Sequence, residues 1–174
     1  MTDLKFLVAD DAMHYEFTQS KTVAALSQPL ISSGVMGLSK AQQLVWQTLR
    51  PLKSTLVISA EGLKQFNRND ELVNDMENPI ATELAQVFLS LLSGDTKALD
   101  ATFTQKLTCE NENWHLSLEP IEDELKNILT TIALDGAARI EKISFAETRG
   151  DNTEIVLSPA LEGPVENFAT YVGN

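Results

Sequence analysis

Few residues in this chain could carry chemistry: one cysteine, Cys109, and two histidines, His14 and His115. Cys109 and His115 stand symmetrically about Glu112, in a stretch that reads as a β-hairpin. That register would set a thiol opposite an imidazole, the beginning of a nucleophilic site in which the ring takes the thiol proton. Nothing beside the pair supplies donors for a developing oxyanion. The plainer reading is a buried cysteine and a surface histidine.

The other candidates fail on geometry. Two histidines and one cysteine cannot supply a recognised set of metal ligands. "NRNDELVND" (67–75) is acidic but lacks the glycine and spacing of a calcium loop, so it reads as a solvated turn. Asp10-Asp11 and Glu122-Asp123-Glu124 are sequence neighbours whose side chains diverge, and they form no acid–base dyad. "GLSKAQ" (37–42) lacks the rest of a phosphate loop, and the RGD within "TRGDN" (148–152) is explained by turn chemistry. The sequence therefore reads as a protein that is not an enzyme, with no catalytic residue, no metal and no cofactor.

Composition narrows the classes further. The chain has 174 residues, 43% of them hydrophobic, which fits one domain over 1–174 with a substantial core. Its net charge is −12, from 25 acidic and 13 basic residues. That balance excludes nucleic acid as a partner and a polybasic dock on an anionic leaflet. No apolar run approaches the roughly 20 residues of a membrane-spanning helix. The opening "MTDLKFLVADDAM" lacks a basic n-region and does not read as a signal peptide, which leaves a cytoplasmic location or a signal already removed.

The elements that would position any site are mostly strands. A short helix is expected within 3–13, and from Tyr15 the apolar period falls to two. Strands are expected at 15–19, 24–31, 35–39, 44–49, 55–59 and 63–67. Their separators are Ser32-Ser33-Gly34, Arg50-Pro51, Glu61-Gly62 and Asn67 to Asp70. Asn78-Pro79 then opens a helix over 78–93 with Ile80, Leu84, Val87, Phe88, Leu91 and Leu92 on one face, closed by Gly94. A short helix at 96–101 follows. Strands return at 103–110 and 114–119 around an Asn111-Glu112-Asn113 turn, then at 128–134, 140–147 and 153–157. The fold class is α+β, about ten strands of one curved antiparallel sheet with a helix inserted midway. A sheet that long curls, and its concave face must be filled. Burying six large apolar residues of the helix there would contribute roughly 10 kcal/mol. Trp46, Phe66, Phe88, Phe103, Trp114 and Phe145 fall in strands or in that helix, where residue type alone does not separate a packed core from a cavity wall.

Certain stretches carry a likeness as well as a pattern. "YEFTQSKTVAALSQPLISSG" (15–34) holds Phe17 and Gln19 and then Gly34, "LVWQTLRP" (44–51) holds Trp46 and Pro51, and "EGLKQF" (61–66) opens on Glu61-Gly62. With the helix at 78–93 and the late strand Ile132 to Gly136, this ordered set resembles the periplasmic outer-membrane lipoprotein carrier (LolA) family. The resemblance implies a half-open β-barrel whose helices form a lid over the concave face. It implies a periplasmic location, its signal peptide removed, and an acylated lipoprotein or lipid as cargo. It also implies an inner-membrane donor complex, an outer-membrane acceptor and a monomer. A sensor or scaffold that binds lipidated ligand without transferring it is the alternative on the same fold. Ala41 and Gln42 stand where better-studied members of the family carry arginine and proline to fasten the lid. Lys40 offers a point charge without the guanidinium fork, a departure that fits carriers of other acylated cargo.

On that resemblance, Leu84, Phe88 and Leu91 are expected to face the cavity from the lid. Trp46, Phe66, Trp114, Ile132 and Phe145 are expected to face it from the sheet. Phe88→Glu is then expected to abolish acyl binding and leave the sheet folded, read by a fluorescent fatty-acid titration beside far-UV circular dichroism. Global unfolding of that variant would count against a lid at 78–93.

Overall fold

Strict alternation of apolar and polar residues commits a segment to one half-buried strand, and that pattern recurs along nearly the whole chain. The computed structural model describes residues 13–39, 43–75, 85–87, 89–91, 96–159 and Tyr171. The first six strands are β1 (Met13–Thr22), β2 (Leu30–Leu38), β3 (Leu44–Arg50), β4 (Ser54–Ser59), β5 (Gly62–Phe66) and β6 (Leu72–Asp75). The last five are β7 (Phe103–Glu110), β8 (Asn113–Pro120), β9 (Leu129–Gly136), β10 (Ile140–Glu147) and β11 (Asn152–Pro159). They form one antiparallel sheet in the order β6-β5-β4-β3-β2-β1-β11-β10-β9-β8-β7. Two meanders therefore meet at a seam between β1 and β11, where Phe17 lies opposite Leu157 and Lys21 opposite Thr153.

β6 and β7 are the two edges, so the sheet stays open. It also curls. β5 and β9 are seven strand steps apart, roughly 34 Å in a flat sheet, yet Leu63 and Leu129 line one hollow. The result is a half-open β-barrel. One contiguous core fills its concave side, running from Leu63 through Phe17 and Ile143 to Leu116 and Phe103. Helical residues 85–87 and 89–91 pack there too: Ala85, Val87, Leu89 and Leu91 join that core. The Gln86 side-chain amide donates to the Ser59 carbonyl at 2.6 Å and ties this segment to the end of β4.

Three expectations change. Among the described residues the strands number eleven, because Leu72 and Val73, within the acidic 67–75 stretch, belong to the edge strand β6. The turn before it is real: Asn67 Oδ1 accepts from the backbone N–H groups of Asn69 and Glu71, and Asp70 takes φ 61°. Second, Ser32-Ser33-Gly34 does not break the chain, since β2 runs straight through it, while the stretch from Val23 to Pro29 forms the connection. Gly34 serves another purpose. A Cβ built on it would lie 2.0 Å from the Gln47 carbonyl oxygen, so β3 approaches where no side chain fits, beside a register shift between Ser33 and Gly34. Third, the Cys109–His115 pairing is off by one residue. Asn111, at φ 58°, and Glu112 alone make the turn, so Cys109 faces Trp114 and His115 faces Thr108. The expected helix at 3–13 lies outside the described residues.

Gly34→Ala is expected to destabilise the fold by about 3 kcal/mol, because the clash is with backbone and not with a side chain that can swing away. Thermal melts should show Tm lower by roughly 10 °C for a domain of this size. An unchanged Tm would mean that β3 does not hold this close register.

Candidate functional site

Pairing parity decides which residues meet. Trp46 lies opposite Leu56, and Ile58 opposite both Leu44 and Leu63, so these side chains share the concave face of β3, β4 and β5. Across the seam, Phe145 and Ile155 share that face on β10 and β11. They enclose a groove of about 560 Å³ walled by Trp46, Leu56, Ile58, Leu63, Phe145 and Ile155, with Ala85 of the helical segment and Leu129 also on its lining. The Trp46 ring packs on Phe17 with centroids 4.3 Å apart. Such a volume falls within the usual range of small-molecule sites.

The groove has one polar pole. Gln19, Lys21, Glu147 and Thr153 line it where β1, β11 and β10 approach the 148–151 turn. Lys21 Nζ donates to Glu147 Oε1 at 3.1 Å, and both side chains stay about one-third exposed. The adjoining turn is stapled shut: the Ala24 backbone N–H donates to Asp151 Oδ1 at 2.9 Å, and Gly150 takes φ 90°. The RGD tripeptide is thereby accounted for as turn structure.

The sequence-expected site residues divide. Trp46 and Phe145 come together on the groove wall. Ile132 and Leu91 are fully buried in the core away from that wall. Trp114 is buried as well, its indole N–H donating to the Ala137 carbonyl at 2.7 Å, with Gly136 pressed against its ring. Phe66 is on the opposite face. It pairs with Thr55, one residue out of step with Leu56, and packs in a separate convex cluster with Val35, Val45, Val57 and Tyr171. Tyr171 meets its ring edge-on at 5.3 Å and donates its hydroxyl to Asp70 at 2.6 Å. The Leu84 and Phe88 side chains lie outside the described residues. Sequence reading missed Leu56, Ile58, Ile155 and the Lys21–Glu147 pair. Counting parity outward from Trp46 would have found the first two, whereas the rest depend on the seam.

The residues first considered for chemistry do not assemble. Cys109 is exposed, and the one-residue register puts His115 on the other face of the hairpin. His115 Nδ1 instead lies 2.7 Å from Asp135 Oδ1, with Lys142 beyond at 3.4 Å and Glu154 3.9 Å from Lys142. This is a polar ladder across β8, β9, β10 and β11, in which Lys142 sits between the carboxylates of Asp135 and Glu154. Partial desolvation pushes the Asp135 carboxyl up, but the His115 hydrogen bond and the Lys142 charge outweigh it and hold it below the ordinary value. No group of three or more metal-ligating side chains occurs among the described residues, and no helix there is long and apolar enough to cross a membrane.

A family model described as outer membrane lipoprotein carrier protein LolA matches residues 10–165. No curated protein matches in sequence. Among solved structures, the chain is similar to a LolA superfamily protein from Nitrosomonas europaea, at 9% identity over 97% of each chain with TM-score 0.44. It is similar also to a DUF1329 family protein from Desulfovibrio piger, at 9% identity over 95% of this chain and 93% of that one, with TM-score 0.50.

The charge ladder gives a pH signature. A depressed carboxylate contributes stability above its unfolded value, about 3.9, and loses it as pH falls through the folded value. Asp135→Asn should therefore lower stability at pH 7 by up to about 1 kcal/mol, as suits a half-exposed pair. The gap to wild type should close in thermal melts as pH falls below the ordinary carboxylate range. A gap independent of pH would assign the loss to packing.

Proposed function

The chain belongs to the LolA outer membrane lipoprotein carrier family, and from that membership we propose that it is a periplasmic carrier. Its concave groove takes up the acyl part of a lipidated protein or other lipid and conveys it towards the outer membrane. The observation that carries this reading is the apolar groove of about 560 Å³ between the two arms of the sheet. A core of this size ordinarily closes on itself at near-crystalline density, so so large an apolar hollow is unusual in a merely structural fold.

The energetics suit a carrier. Burying a long acyl chain gains roughly 10 kcal/mol at about 0.8 per methylene, less the cost of ordering it. Release needs an offset, and the helical segment supplies a means. Ala85 lines the groove, and the Gln86 side chain hydrogen-bonds the segment to Ser59. A segment that swings away for cargo and returns behind it exchanges one apolar contact for another, which makes release a population shift. Donor and acceptor complexes at the two membranes are the partners this cycle requires.

Tryptophan fluorescence tests the reading directly. A spin-labelled fatty acid should quench the emission of Trp46, which lines the groove, and leave Trp114, buried beyond it, largely unaffected. Trp46→Phe should thus remove the quenching, and Trp114→Phe should retain it. Failure of the wild-type protein to bind the probe at all would make the hollow a core defect and end the carrier reading. Binding without transfer between donor and acceptor vesicles would leave the sensor or scaffold alternative.

A further inference from the structure

We propose that the groove is built for a lipid with one acyl chain and a zwitterionic headgroup, the headgroup seated on the Lys21–Glu147 pair. This deepens the carrier reading and rests on it. Volume sets the chain number. A methylene fills about as much space as a water molecule, roughly 30 Å³, so about 560 Å³ holds on the order of 20 of them. That is the volume of one long chain.

Charge sets the headgroup. Walls of Trp46, Leu56, Ile58, Phe145 and Ile155 give a chain apolar partners, and among the described residues the charged groups of the lining are Lys21 and Glu147, side by side at one end. Each is about one-third exposed, 3.1 Å from its partner, and within reach of a ligand entering beside them. An anionic head would pair with Lys21 and strand the Glu147 carboxylate against it, while a cationic head would strand Lys21. A group displaced from its partner at a partly desolvated site loses more than a solvated ion pair would. A head carrying both charges, a phosphate next to an ammonium, satisfies both side chains at once. Gln19 and Thr153, on the same lining, add neutral hydrogen-bonding groups beside the charges. An uncharged head leaves the pair intact and gains nothing from it. The pair therefore selects against single-sign heads as well as for dipolar ones.

The test uses the full chain and four probes with the same hexadecyl tail: hexadecylphosphocholine, hexadecyl phosphate, hexadecyltrimethylammonium and hexadecanol. Each competes with a fluorescent fatty acid below its micellar concentration. Hexadecylphosphocholine is expected to bind one-to-one and about tenfold more tightly than the others, a difference of roughly 1.4 kcal/mol. Glu147→Gln should transfer that preference to hexadecyl phosphate, and Lys21→Met to the trimethylammonium probe. Equal binding of all four tails would overturn the headgroup site and leave the acyl groove standing, whereas binding of none would sink both. Two tails bound per protein would overturn the single-chain assignment. The wild-type comparison decides the headgroup question whether or not the variants fold.

Discussion

The antiparallel pairing of β1 with β11 is the constraint on which the rest depends. From Tyr15 opposite Pro159 to Thr22 opposite Asn152, this register joins strands more than a hundred residues apart. Each flanking meander is built from neighbours in sequence, whose loops close at little entropic cost. The seam is different, because its contacts reward the chain only after almost all of it has been gathered in. Without it there would be two small sheets, each with an apolar face open to water. With it, Phe17 stands beside Leu157, one core runs through both arms, and a groove exists between them.

The seam also places charge. Lys21 belongs to β1 and Glu147 to the end of β10, two strands away across β11. They meet because the register fixes Lys21 opposite Thr153, which in turn lies opposite Phe145. A one-residue slip would turn every one of these side chains to the other face. The turns at that end reinforce the register, through Asp151 accepting from the Ala24 backbone and Thr148 donating its hydroxyl to the Asn127 carbonyl at 2.7 Å. The polar pole of the groove is thus held by the turns beside it, while Gln86 ties the helical segment over the apolar part to Ser59 and the buried face of that segment packs in the core.

The two faces of the sheet answer different needs. Inward, the strands bury Leu, Ile and Phe in one continuous cluster. Outward, the C-terminal arm carries the ladder from His115 to Glu154, with Lys142 between the carboxylates of Asp135 and Glu154, where each cross-strand pair adds a little stability. The N-terminal arm instead carries a small apolar patch, Val45 and Val57 under Phe66 and Tyr171, with Gln47 buried beneath and donating to Thr55 at 3.2 Å. Tyr171 packs on this outer face, its hydroxyl donating to Asp70, with Lys53 paired to the same carboxylate. An outward aromatic such as Phe66 therefore looks, in sequence, like the inward Trp46.

Much of the fold was legible in the sequence because it is local. Period-two alternation announced nearly every strand, Asn111-Glu112-Asn113 and Arg149 to Asn152 marked hairpin turns, the first one residue too long, and a family resemblance supplied the half-open barrel. What stayed hidden is what locality cannot encode. Gly34 reads as a turn residue until β3 is seen pressing against it. The exposed edge strand β6 has too few apolar residues to stand out from its acidic surroundings. A hairpin read one residue out of register put Cys109 opposite His115 and suggested a chemistry that the true pairing dissolves. In the site, aromatic content singled out Trp46 and Phe145 but equally Phe66 and Trp114, since residue type carries no face. The sequence by itself determined the strands, their alternation and the absence of a recognisable catalytic motif, all properties of neighbours along the chain. The tertiary structure alone decided which alternating face turns inward and that Lys21 meets Glu147. Those depend on contacts between residues that are far apart in the chain and meet only when the seam closes.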